Sequence, residues 1–155
     1  MELLLLAVGK LRPAYRTTCD DYLRRLGRFV TVREREVREA GRASGVAAQR
    51  TEEGERLLQA VPAGAGVTVL DIEGTPWSSE EVASRLDAWR HAGRHRAIIL
   101  GGAVGLAPAV RARADEVWSL GPLTLPHELA RVVVAEQLYR GATILQGTPY
   151  HKAAR

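Results

Sequence analysis

Cysteine is nearly absent from this chain: one residue, Cys19, in 155. A single thiol excludes an intrachain disulfide and suits a reducing compartment, so the expected location is the cytoplasm. One Cys and four His leave too few soft ligands for a structural zinc site, and no metal is expected. A long apolar run is also missing. The longest stretch without a charge, Ala97–Val110, is interrupted by Gly101, Gly102, Gly105 and Pro108. It falls short of the roughly 20 apolar residues that cross a bilayer, so no membrane partner is expected. The Met1-Glu2 start lacks the basic segment of a signal peptide. Repeats and low-complexity segments are absent. What is present, 46% hydrophobic and 26% charged residues, is the composition of one globular domain, read here as residues 1–155.

Lysine is scarce as well. Lys10 and Lys152 are the only two, and the rest of the 22 basic residues are arginine. Arginine forks suit phosphate, although a GC-rich genome favours arginine equally well. Of the net charge of +4, most of the imbalance lies in residues 10–56, with 12 basic and 8 acidic side chains. That region fits an anionic partner such as RNA, with Arg24, Arg25, Arg28, Arg33, Arg35 and Arg38 as the phosphate-facing candidates.

The hydropathy pattern alternates strand and helix. Glu2–Val8 reads as a buried strand ended by Gly9, Thr18–Arg28 as a helix, Val30–Val37 as a strand, and Val46–Val61 as a helix after the Gly41–Gly45 loop. Val67–Ile72 reads as a central strand turned by Gly74-Thr75-Pro76. Ser78 and Glu81 have capping-box spacing before a helix ending at His91. Ala97–Leu100 is a further buried strand, Pro108–Ala114 a short helix, Glu116–Leu120 a short strand, and Pro126 opens a last helix to about Gln146. This order predicts an α/β fold with a mainly parallel sheet flanked by helices.

Ligands of such sheets gather at the carboxyl ends of the strands, which selects three loops: after Leu70-Asp71, after Leu100 and after Leu120. Gly101-Gly102-Ala103-Val104-Gly105 either admits a ligand to the backbone or makes a tight turn. It carries no Gly-Lys-Ser/Thr, and only Gly9 follows the first strand, which argues against a P-loop and a dinucleotide enzyme. Leu120–His127 is uncharged and stiffened by Pro122 and Pro126. It suits a neutral ring such as adenine, or a buried crossover, with His127 read as a structural contact. The last helix has more apolar positions than one core stripe needs, which implies burial against the sheet and a second subunit, or a central core position.

Several separated segments carry a family resemblance: Ala7-Val8-Gly9-Lys10, Asp21–Arg25, Leu70–Gly74, Leu100–Gly105, Trp118–Leu120, Leu123–His127, Arg131-Val132, Ala135–Arg140 and Pro149-Tyr150-His151. In order and at matching length, they resemble the RlmH family of small SPOUT methyltransferases. The resemblance implies a SPOUT-type α/β knot with a C-terminal trefoil, and a homodimer with its cofactor site at the subunit interface. It implies S-adenosyl-L-methionine as cofactor, held by Leu70, Gly102, Leu120, Gly121, Pro122, Leu123, Thr124 and Leu125. The implied reaction is methylation of a pseudouridine at N3 in 23S rRNA on the assembled ribosome. The catalytic candidates are then Glu136, Arg140, Tyr150 and His151. A Glu could take the N3 proton and an Arg could stabilise charge, while Glu136 and Arg140 also have the spacing of a plain helix ion pair. Two departures stand out. Ala103-Val104 replace the Pro and acidic residue common in the family, and Ala153-Ala154-Arg155 extend the tail beyond Lys152. A non-catalytic RNA-binding or assembly factor on the same fold is the alternative reading.

Overall fold

The computed structural model describes residues 1–152 in full and the backbone of residues 153 and 154; Arg155, the end of the tail extension, lies outside the described residues. Five strands, β1 (Glu2–Val8), β2 (Thr31–Val37), β3 (Gly66–Pro76), β4 (Arg96–Leu100) and β5 (Glu116–Ser119), form one sheet in the order β2-β1-β4-β3-β5. Every pairing is parallel, as the alternating pattern predicts. The helices are α1 (Pro13–Leu26), α2 (Val46–Ala60), α3 (Ser79–Ala92), α4 (Pro108–Arg113) and α5 (His127–Gln146), with a 3-10 turn over Pro149–Ala154.

β1 shows why both faces are covered. Its odd residues Leu3, Leu5 and Ala7 pack with Leu26 of α1, Val82, Leu86 and Trp89 of α3, and Val134 and Leu138 of α5. Its even residues Leu4, Leu6 and Val8 pack with Leu57 of α2 and Leu106, Ala107 and Val110 by α4. A strand buried on both sides must be apolar at every position, hence the unbroken Leu run. Each such side chain contributes about 1.5–3 kcal/mol by leaving water. The capping box forms as its spacing predicts: Ser78 Oγ accepts from Glu81 N at 3.1 Å, and Glu81 Oε2 accepts from Ser78 N at 2.6 Å.

Two local expectations are corrected. Gly74-Thr75-Pro76 does not turn the chain. β3 bulges after Leu70 and then resumes pairing, with Thr75 opposite Trp118 and Pro76 opposite Ser119. Gly74 is needed for close approach: a Cβ there would lie 2.8 Å from the backbone of Val117 and Trp118. And α1 begins at Pro13, five residues before the expected Thr18, because proline is well placed in a first helical turn.

Candidate functional site

The three segments selected from the sequence converge, although the first, after Leu70-Asp71, is the bulge within β3 and not a loop at its end. The β3 bulge and the loops after β4 and β5 enclose a cleft of about 250 Å³ lined by Leu70, Asp71 and Ile72, by Leu100, Gly101, Gly102, Gly105 and Leu106, and by Ser119, Leu120, Gly121, Leu123, Thr124 and Leu125. His127 and Ala130 of α5 and Arg111 of α4 complete the lining. Of the eight proposed cofactor contacts, all but Pro122 face this cleft. The charged groups of the lining are Asp71 and Arg111, which pair with each other, and His127 when protonated. The rest is apolar or neutral, which fits an uncharged ring better than a polyphosphate.

Backbone geometry explains the glycines. Gly105 N donates to Gly102 O at 3.1 Å with Gly105 at φ +80°, which folds the loop tightly over β4. A Cβ on Gly102 would lie 3.0 Å from Val8 Cγ1. Gly121 takes φ +111°, a region that favours glycine, and its N–H is turned back onto Ser119 Oγ at 3.1 Å. Among the described residues, no intrachain hydrogen bond engages the backbone N–H groups of Leu123, Thr124 or Leu125. Exposed Ile72 and Leu123 stand at the mouth.

The four catalytic candidates form a second cluster. Tyr150 Oη donates to Glu136 Oε1 at 3.0 Å, and Arg140 Nε donates to the same oxygen at 2.9 Å. Gln137 Nε2 donates to Glu136 Oε2 at 2.7 Å. The Arg140 guanidinium lies 4.9 Å over the Tyr150 ring, which also meets Tyr139 edge-on at 4.5 Å. Burial, a hydrogen bond with Tyr22 and the Glu136 charge push the Tyr150 hydroxyl well above its usual pKa, so it remains a donor. Burial opposes the Arg140 charge, but Glu136 outweighs it and raises its pKa. His151 differs from the other three: its Nδ1 is buried without a hydrogen-bond partner. None of the four lines the cleft. Along α5, Glu136 and Arg140 lie about 9 and 15 Å beyond Ala130.

Two buried charged residues carry the site from behind, and the hydropathy pattern hides both. Arg131 on α5 is 2% exposed. Its Nη1 meets Glu34 Oε2 at 3.1 Å and Glu36, and its Nη2 donates to Gly9 O at 2.9 Å and Val8 O at 3.3 Å. Arg16 of α1 joins the same two glutamates. Beside this network Cys19 is fully buried, and burial followed by the Glu34 charge pushes its thiol up to about 11. Glu53 on α2 is also 2% exposed. Its Oε2 accepts from Ala40 N and Gln49 Nε2, both at 3.0 Å, and its Oε1 is unpartnered behind Gly102. A glutamate between the apolar positions of an amphipathic helix reads as solvated; the one local signal for Glu53 is its place one turn before Leu57, which is fully buried.

The six arginines read as one phosphate-facing set are divided. Arg24, Arg25 and Arg28 lie on or just after α1, with Arg24 and Arg25 paired to Asp21. Arg33 and Arg35 line a groove with α2 residues on the other sheet face, and Arg33 pairs with Glu2. Among the described residues, no cluster of three or more His, Cys, Asp or Glu could hold a metal ion, and no helix is long and apolar enough to cross a membrane.

Comparison with known proteins agrees with this fold. A family model described as predicted SPOUT methyltransferase matches residues 1–151. The chain is 44% identical over 156 residues to a ribosomal RNA large subunit methyltransferase H of Xanthomonas campestris, covering 99% of this chain and 100% of that one. It is 43% identical over 155 residues to the protein of that name from Pseudomonas paraeruginosa, covering 98% and 100%. A crystal structure of a probable methyltransferase from Bordetella pertussis has the same fold, with a TM-score of 0.55 at 18% identity over 90% of this chain and 93% of that one.

Proposed function

The chain belongs to the SPOUT methyltransferase family, and we propose that it methylates N3 of a pseudouridine in 23S rRNA of the assembled ribosome, with S-adenosyl-L-methionine as cofactor. The observation that carries this reading is the convergence of the β3 bulge and the loops after β4 and β5, distant in sequence, on one neutral cleft. Full-length identity to relatives named ribosomal RNA large subunit methyltransferase H supports the substrate. A single cytoplasmic domain over residues 1–155 and the family's trefoil threading belong to the same proposal.

The cofactor supplies the methyl group from its sulfonium centre. Leu70, Gly102, Leu120, Gly121, Leu123, Thr124 and Leu125 would hold it, and the unengaged backbone N–H groups at 123–125 would be available to the edge of its base. Pro122 contributes by stiffening the loop. The target nitrogen must lose its proton and stand in line with the methyl group. Glu136 already accepts three donors, and Tyr150 stays protonated. His151, with its open Nδ1, is therefore the group suited to take the N3 proton. Glu136, Arg140 and Tyr150 position it by docking the tail on α5.

Within one chain the tail cluster lies away from the cleft, and a homodimer brings one protomer's tail to the other's cofactor. Leu129 and Val133 on α5, half-buried in the single chain, suit that contact.

The test is transfer of labelled methyl into ribosomes that lack the modification, with the labelled nucleoside identified by mass spectrometry. Label in N3-methylpseudouridine is expected. Ribosome binding without label would instead favour a non-catalytic assembly role. His151→Ala should abolish transfer while leaving cofactor binding intact; unchanged rates would remove His151 from the mechanism.

A further inference from the structure

Resting on that reading, we infer that the ribosomal RNA backbone is gripped by one rim of the cleft, formed by Lys10, Arg38, Arg42 and Arg50, and not by the arginines of α1. Most arginines of the chain are neutralised locally. Arg24 and Arg25 share Asp21, Arg33 meets Glu2, and Arg111 meets Asp71. A phosphate approaching these must compete with a carboxylate already in place.

Lys10, Arg38, Arg42 and Arg50 are exposed, and among the described residues none has a carboxylate partner. Over residues 38–50 the one acidic side chain is Glu39. The fold brings all four to the end of the sheet where the cleft opens. Lys10 follows β1 and Arg38 follows β2, whose ends are tied by the bond from Gly9 N to Val37 O at 2.8 Å. Arg50 on α2 donates to Val104 O within the glycine loop itself. Two bonds fix the segment that carries Arg38 and Arg42. Ala40 N is held by Glu53 at 3.0 Å, and Arg38 O accepts from Arg56 Nη1 at 2.7 Å. Because Glu53 also backs Gly102, these charges are held in register with the cofactor loop. Cationic side chains without carboxylate partners, held at one edge of a reaction cleft, are what positioning of a nucleic acid by its phosphates requires.

The experiment measures binding to ribosomes lacking the modification as a function of salt, for the wild type, Arg38→Ala/Arg42→Ala and Arg24→Ala/Arg33→Ala. Cofactor binding to each protein is measured in parallel. The rim variant should lose roughly two units of the slope of log K against log salt and bind ribosomes at least about tenfold more weakly, with cofactor affinity unchanged. The second variant should keep the wild-type slope. A wild-type slope in the rim variant, or loss of slope in the Arg24/Arg33 variant, overturns the assignment. Wild-type protein that binds cofactor but no ribosome overturns the substrate reading, and the surface with it.

Discussion

Replacing Arg131 by methionine tests the buried network that joins α5 to the ends of β1 and β2. Methionine keeps much of the volume of the stem and removes the charge. Four contacts disappear, to Glu34, Glu36, Val8 O and Gly9 O. The two carboxylates that met at one nitrogen are left within about 6 Å of each other, a repulsion of roughly 3 kcal/mol at an effective dielectric near 20. Removing one partner from a buried ion pair costs about 3–5 kcal/mol. Arg16 remains to bridge both glutamates, which points to the lower end, about 3 kcal/mol. For a chain of this length that is a fall in Tm of roughly 6–12 °C. Urea unfolding followed by circular dichroism gives the number directly. A second step sharpens the test. Adding Glu34→Gln and Glu36→Gln to the methionine variant removes the repulsion, so the triple variant should recover about 1–2 kcal/mol. A single variant that loses less than about 1 kcal/mol, or a triple variant less stable than the single, would refute the account of Arg131 as the neutralising centre.

Gly102→Ala places a methyl group 3.0 Å from Val8 Cγ1, on a strand that cannot yield, so a loss of about 1–3 kcal/mol is expected. Because Gly102 lines the cleft, cofactor affinity measured by calorimetry should fall as well; unchanged affinity would separate the glycine loop from the cofactor site. The acid response follows from two carboxyl groups held below their usual pKa, Asp115 chiefly by the Val67 N–H at 2.8 Å and Glu128 chiefly by the Arg12 N–H at 2.6 Å. A depressed folded-state pKa stabilises above the unfolded value and is lost as pH falls through the folded value. Urea midpoints should therefore hold from neutrality to about pH 5 and decline below about pH 4, with a shallower decline in Asp115→Asn. A midpoint constant down to about pH 2.5 would contradict this.

Elements with strong local patterns were legible from the residues. β1 announces itself by an unbroken apolar run, α3 by its capping box, and the cleft by glycines and prolines that follow β4 and β5. What escaped depends on partners far along the chain. Gly74 reads as a turn because nothing local reveals that the backbone of Val117 and Trp118 passes 2.8 Å from where a Cβ would sit. No local pattern marks Arg111, which pairing with Asp71 sets in the cleft lining. Arg131 and Glu53 read as charges on helix faces, since burial of a charge is decided by the elements that close over it. The arginine set is split between faces for a related reason. Charge density along the sequence does not show that successive residues of β2 face opposite sides of the sheet, nor which arginines already hold a carboxylate.

The same accounting changes how the tail is read. The four candidates Glu136, Arg140, Tyr150 and His151 fall within sixteen positions of the sequence, which does not rank them for a proton transfer. Hydrogen-bond occupancy separates them. Both oxygens of Glu136 are already engaged, and adding a substrate proton there means releasing Gln137, or Arg140 and Tyr150 together. Tyr150 is held as a donor by burial and by the Glu136 charge. The Tyr150 hydroxyl on Glu136, the Arg140 guanidinium over its ring and the edge-on contact with Tyr139 hold the short 3-10 turn against α5. His151 rides on that turn with an open nitrogen. A buried acceptor without a partner costs about 1–3 kcal/mol wherever it occurs. In the proposed mechanism that cost would be relieved when the target N3–H reaches this nitrogen.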